Sequence, residues 1–165
     1  MQQLTLLKTP SKQYLSCAIT GHRSLPQDFC KDAVRNSLIS LIEQGVTTFY
    51  NGLAIGFDLL TAELLMELKE IYPFIKVCGC VPFYGQERYF SAEDKERYAA
   101  VYKQCDEVVT LSDSYYKGCY HKRNLYMIER ADVLYAYCLT ARGGAAYTVK
   151  EFSRLKGKEN VIFCV

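Results

Sequence analysis

The sequence predicts a doubly wound α/β domain of Rossmann-like type, with a mostly parallel sheet of about six strands and helices on both faces. Three observations lead there. Short runs rich in Val, Ile and Tyr alternate with helical segments along the chain. No two of these runs are joined by a hairpin-length turn, and crossovers of such length imply parallel pairing with both faces covered. Three strand ends break at glycines (Gly21, Gly52 with Gly56, and Gly143 with Gly144), where open α/β sheets present a ligand site.

The elements follow in order. A first strand is expected over Leu15 to Thr20, then a loop Gly21–Pro26 and a helix from about Asp28 to Glu43. Ala33, Val34, Leu38, Leu41 and Ile42 recur there at helical steps and mark one buried face. Gly45 is expected as its left-handed cap. A second strand, Val46 to Tyr50, runs into Asn51–Asp58 and an unusually apolar helix reaching Ile71. A third strand spans Ile75 to Val81, and a charged helix starts near Ser91, where Ser91 and Asp94 resemble a capping box. A fourth strand, Glu107 to Leu111, leads through a tyrosine-rich loop, Tyr115 to Tyr120, to a helix over His121 to Arg130. A fifth strand, Val133 to Cys138, precedes the turn Thr140–Gly144, a helix over Ala146 to Leu155 and a last strand over Val161 to Val165.

The 165 residues fit one domain spanning 1–165, with residues 1–13 expected as a loose lead-in. Half of the residues are hydrophobic and 23% are charged, an ordinary globular profile. A net charge of +2 does not by itself call for nucleic acid. No run is long enough to span a bilayer, and the first residues do not form a convincing signal peptide. A cytoplasmic protein is therefore expected. The eight cysteines include no Cys-x-x-Cys, and Cys78 and Cys80 share one strand face. Free thiols acting as small hydrophobes are expected, rather than metal ligands or disulfides.

Glycine lets a backbone turn sharply and lets a ligand approach its amides. The helices after the second and third glycine turns are expected to aim free N–H groups into a common crevice, which favours an anion such as a phosphate. The P-loop, the Gly-x-Gly-x-x-Gly fingerprint and the Gly-x-Ser-x-Gly elbow are all absent. The polar residues beside the turns then supply the candidates. Arg23 reads as a bidentate phosphate clamp or a surface arginine. His22 reads as a loop hydrogen-bonder. Asp58 either complements the dipole of its helix or meets a ribose hydroxyl. Arg123 and Asn124 offer a second cationic contact, and Thr148 is either a phosphate donor or a core residue. Tyr115, Tyr116 and Tyr120, mixed with Lys117, Lys122 and Arg123, read as a stacking surface or a contact between subunits.

In this order the motifs resemble the YpsA-like family of the SLOG superfamily. The resemblance rests on Thr20-Gly21-His22-Arg23, on Gly52-x-Ala54-x-Gly56-x-Asp58, on Arg123-Asn124 with Met127 before Asp132, and on Gly143-Gly144 with Thr148. It implies a pocket for a nucleotide, NAD or ADP-ribose-type ligand lined by these residues, with no other cofactor required. The superfamily also includes cytokinin-activating phosphoribohydrolases and the DNA-uptake protein DprA, so its ligands and activities vary.

One departure bears on chemistry. Phosphoribohydrolase relatives carry Pro-Gly-Gly-x-Gly-Thr-x-x-Glu, with the glutamate at the glycosidic bond. Here Arg142 replaces the proline and Glu151 falls one residue late, which turns its side chain by about 100° around a helix. The leading expectation is a nucleotide-binding or sensing protein. The alternatives are an N-glycosidic hydrolase using Asp58 or Glu151, and a single-stranded nucleic-acid binder, which the near-neutral charge disfavours.

Overall fold

The structure, a computed structural model, describes residues 14–164. The expected lead-in over residues 1–13 and the last residue of the expected sixth strand lie outside them. Six strands form one sheet: β1 (Ser16–Gly21), β2 (Thr48–Asn51), β3 (Lys76–Val81), β4 (Glu107–Thr110), β5 (Val133–Tyr137) and β6 (Val161–Phe163). Five helices connect them: α1 (Lys31–Glu43), α2 (Phe57–Ile71), α3 (Ala92–Gln104), α4 (Cys119–Arg130) and α5 (Gly144–Lys156). Every strand pair is parallel and the order is β4-β3-β2-β1-β5-β6.

The chain steps outward from β1 to β4, returns through α4 and continues from β5 to β6. Right-handed crossovers then place the first three helices on one face and the last two on the other. The cores match this division. Cys17, Ile19, Phe49, Val77 and Tyr135 face Val34, Leu38, Leu65 and Val101 of α1, α2 and α3. On the other face Ala18, Cys78, Cys80 and Ala136 meet Met127, Ile128 and Phe152. That second face mixes small strand residues with Leu134, and Tyr50 and Val109 pack against it. All eight cysteines are free thiols, and the Cys78 and Cys80 sulfurs sit 3.9 Å apart on one face.

The element boundaries differ from expectation where tertiary contacts intervene. α1 starts at Lys31 rather than Asp28, because the Phe29 amide donates to the Pro26 carbonyl and its ring packs 4.9 Å from that of Tyr137. α5 starts two residues early, at Gly144. Two short 3-10 helices, Gln86–Tyr89 and Lys158–Asn160, had no periodic signal to announce them. Ser91 does cap α3, its Oγ accepting from the Asp94 amide at 3.1 Å. Gly45 takes its expected left-handed backbone with φ +113°.

Candidate functional site

Strand order reverses between β1 and β5, and open α/β sheets bind ligands outside the carboxyl ends of strands at such a reversal. Gly21 stands in register with Tyr137 there. A small cleft of about 80 Å³ opens at this point, lined by Thr20, Gly21, Arg23, Ala54, Asp58, Tyr120, Arg123, Asn124 and Gly144 among others. The structure thus brings together residues from all three glycine turns and from the start of α4.

The glycines themselves divide into two kinds. A Cβ on Gly21 would stand 2.4 Å from the Phe57 ring, and one on Gly56 2.4 Å from the Arg23 carbonyl. A Cβ on Gly52 would stand 2.6 Å from Arg123 Nη1 and 2.9 Å from Asp58 Oδ2. These three glycines let parts of the protein approach one another. Gly143 and Gly144 differ, since a Cβ on either meets nothing within 4 Å. Gly143 needs glycine for its φ of +103°, whereas Gly144 has neither crowding nor a positive φ to explain it. Its amide opens α5 at the cleft wall, where helix N–H groups and the positive dipole end attract anions.

α2 does not offer the same site. The Phe57 amide already donates to the His22 carbonyl at 3.0 Å, and the Asp58 carboxylate occupies the helix start, accepting from the Ala54 amide at 3.4 Å. The expectation of two helix ends aimed at one anion reduces to one, that of α5.

Arg123 is buried, and its Nη1 donates to the Gly52 carbonyl at 2.7 Å and the Cys80 carbonyl at 3.2 Å. Its Nε donates to Asn124 Oδ1 at 2.9 Å. It therefore ties α4 to the ends of β2 and β3 while leaving positive charge behind the cleft. Burial pushes the Asp58 carboxyl up to about 6, opposed by Arg123, the Ala54 amide and Arg23. Burial also draws the Arg123 guanidinium below its ordinary value, opposed by Asp58. Arg23 is exposed, with its guanidinium 4.9 Å from the centre of the Tyr120 ring. Of the two arginines, Arg23 is the one with freedom to close on a ligand.

Three candidates are engaged elsewhere. His22 Nε2 accepts from the Leu139 amide at 2.8 Å and its ring packs edge-on to Tyr137, so it pins the loop after β5. Thr148 is fully buried and its hydroxyl donates back to the Gly144 carbonyl at 2.9 Å, a packing role rather than a phosphate contact. Glu151 bonds Arg154 at 2.9 Å and does not line the cleft. The carboxylate that does line it is Asp58. Among the described residues, no three His, Cys, Asp or Glu side chains gather as a metal site. No described helix is long and apolar enough to cross a membrane.

Against known proteins, the model of the YspA SLOG family (YpsA) matches residues 17–163. The chain belongs to that family. Its match takes in every turn that builds the cleft. Relatives include the UPF0398 protein YpsA of Bacillus subtilis, 32% identical over 129 residues, covering 71% of this chain and 72% of the relative. A UPF0398 protein of Bacillus pumilus is 31% identical over 126 residues, covering 74% and 68%. Among solved structures, DNA processing protein A from Streptococcus pneumoniae superposes with TM-score 0.66 at 15% identity, covering 91% of this chain and 50% of that one. The protein of that name from Helicobacter pylori, solved for its single-stranded DNA binding mode, gives TM-score 0.62 at 16% identity, covering 90% and 64%. The chain thus spans between half and two thirds of those two proteins, and at such identities the likeness is one of fold.

Within this YspA SLOG domain, two site residues carried no functional expectation. Asn51 is fully buried; its Oδ1 accepts from the Leu53 amide at 2.8 Å and its Nδ2 donates to the Asp58 carbonyl at 2.9 Å. It fastens the second glycine turn to α2 and holds Leu53 at a φ of +55°. An Asn-Gly pair at a strand end is a turn signal that pointed to this. Gln86 donates to the Gly52 carbonyl at 3.1 Å from 34 residues away, and no local pattern announces that bond.

Proposed function

We infer that this protein binds a nucleotide-type ligand at the β1–β5 reversal and acts as a binding or sensing protein. Gly144 carries this reading: an uncrowded glycine at the start of a 13-residue helix, beside Arg23 and in front of Arg123. A phosphate there accepts from the first α5 amides and from the Arg23 guanidinium, while Asp58 is placed for a hydroxyl. NAD, ADP-ribose and nucleoside phosphates are the ligand class, and the bound nucleotide is the only cofactor the reading requires.

A second reading, single-stranded nucleic acid, is favoured by the solved neighbour described for its single-stranded DNA binding mode. Net charge of +2 is a weak argument against it, because local cations decide phosphate binding: Arg23 lines the cleft and is exposed, and Lys117 and Lys122, which flank Tyr120 in the chain, are exposed too. The hydrolase alternative now rests on Asp58 alone, whose elevated proton affinity suits a general acid.

Equilibrium dialysis against AMP, NAD, ADP-ribose and a short DNA strand, followed by chromatography of the recovered ligand, separates the three. Intact nucleotide retained by the protein supports the binding role. Released base or nicotinamide, abolished by Asp58→Asn, would replace it with the hydrolase, and retention of the strand alone would replace it with the nucleic-acid reading.

A further inference from the structure

The cleft at the reversal is too small for a nucleotide, since sites for small molecules run to about 300–1,000 Å³. At about 80 Å³ it holds one compact group, such as a phosphate. The rest of a ligand must leave it. Arg23, Ala54 and Tyr120 also line an adjoining cavity of about 240 Å³, whose Gln86, Tyr89 and Tyr120 in turn line a third of about 440 Å³. Tyr120 lines all three, so they adjoin one another along the carboxyl edge of the sheet from β1 towards β4.

The far cavity differs in chemistry from the near one. Phe83 stands nearly perpendicular to Tyr115 and Tyr120, with centroids 5.6 and 5.9 Å away. Tyr115 is 62% exposed and Tyr89 92% exposed, leaving ring surface open in a wall that also carries Arg88 and Asp113. Several exposed rings around one cavity are not the scattered surface aromatics found on any protein. Aromatic faces stack flat rings, and the charged rim offers donors and acceptors to the edge of a base.

We propose that the cavity lined by Phe83, Tyr89, Tyr115 and Tyr120 is a stacking subsite for one base of a dinucleotide whose phosphate is held at the β1–β5 reversal. This rests on the nucleotide-binding reading and extends it. The ligand is a small molecule with two ring systems joined through phosphate, and a mononucleotide fills only part of the three cavities.

The test is calorimetric titration with AMP and with NAD at one salt concentration, using wild type, Tyr115→Ala, Tyr115→Phe and Tyr89→Ala. Both tyrosines are exposed, so the variants fold, and matching far-ultraviolet spectra check that. Wild type is expected to bind NAD at least about fivefold tighter than AMP, the scale of one stacked base. Tyr115→Ala is expected to erase that advantage with AMP affinity kept within about twofold, and Tyr115→Phe to retain it. AMP and NAD binding wild type equally overturns the subsite while leaving the nucleotide reading intact; no binding of either overturns both. A five-nucleotide strand that binds more tightly than NAD and loses its grip in Tyr115→Ala overturns the small-molecule occupant. A change of sedimentation in Tyr89→Ala and Tyr115→Ala, with affinity unchanged, overturns it in favour of a second copy of this chain.

Discussion

The Arg123 guanidinium donates to the Gly52 carbonyl at 2.7 Å, joining the start of α4 to the end of β2 across the sheet edge. Gln86 donates to the same oxygen at 3.1 Å. The rigid wall of the cleft is built on that carbonyl. Gly52 has to be a glycine because a Cβ would enter the space held by Arg123 and Asp58. Gly52→Ala is expected to lower stability by about 1–3 kcal/mol, the usual cost of overpacking, and to weaken nucleotide binding. Denaturant midpoints and a titration of the same variant check the two effects together.

The two arginines of the site separate by experiment. Arg123→Ala takes the side-chain donor from the Cys80 carbonyl, leaves the Gly52 carbonyl to Gln86 and removes the positive charge beside buried Asp58, and a loss of about 3 kcal/mol is expected. Arg23→Ala removes an exposed side chain, and its unfolding free energy is expected to stay within about 0.5 kcal/mol of wild type while nucleotide affinity falls. Chemical denaturation of both variants measures the contrast.

Asp58 gives the protein a pH-dependent component with a definite sign. Its carboxyl is raised from 3.8 to about 6 in the folded protein, so the folded state holds the proton more tightly than the unfolded one. Stability from this group is complete below about pH 4, falls as pH rises through about 6 and stays reduced above. Asp58→Asn removes the titration. Relative to wild type, the variant is expected to gain about 3 kcal/mol between pH 4 and pH 7, read as the difference between two stability-versus-pH curves.

His22 is expected to act through the loop it pins rather than through proton transfer. His22→Ala frees the Leu139 amide, and hydrogen exchange at that amide is expected to accelerate more than at the β1 amides. Equal exchange in variant and wild type would remove His22 from the positioning of this loop.

Much of this architecture was legible in the sequence because it depends on local pattern. Strand and helix alternate with distinct periods, and the strand ends break at glycines that any reader can mark. The reason for each glycine was not legible. Gly56 is required by the Arg23 carbonyl and Gly21 by the Phe57 ring, and both neighbours come from other segments. The premature expected start of α1 has the same origin, because Phe29 packs against Tyr137 more than 100 residues away. Glu151 was legible: helical arithmetic turned it away from the cleft, and the structure pairs it with Arg154. Thr148 was not, since a hydroxyl donated to the preceding turn and one offered to a phosphate look alike in a sequence.

Gly144→Asp tests most directly whether a phosphate sits on the open end of α5. A Cβ there meets nothing, and a carboxylate in the first turn complements the helix dipole, so the variant is expected to be at least as stable as wild type. The same carboxylate repels a phosphate. At 100 times its dissociation constant a nucleotide stabilises wild type by about 2.7 kcal/mol, a rise in melting temperature of several degrees. Melting wild type and Gly144→Asp with and without AMP, NAD and ADP-ribose is therefore expected to show that rise in the first and none in the second. An equal rise in both, or none in wild type with any nucleotide, would contradict the account.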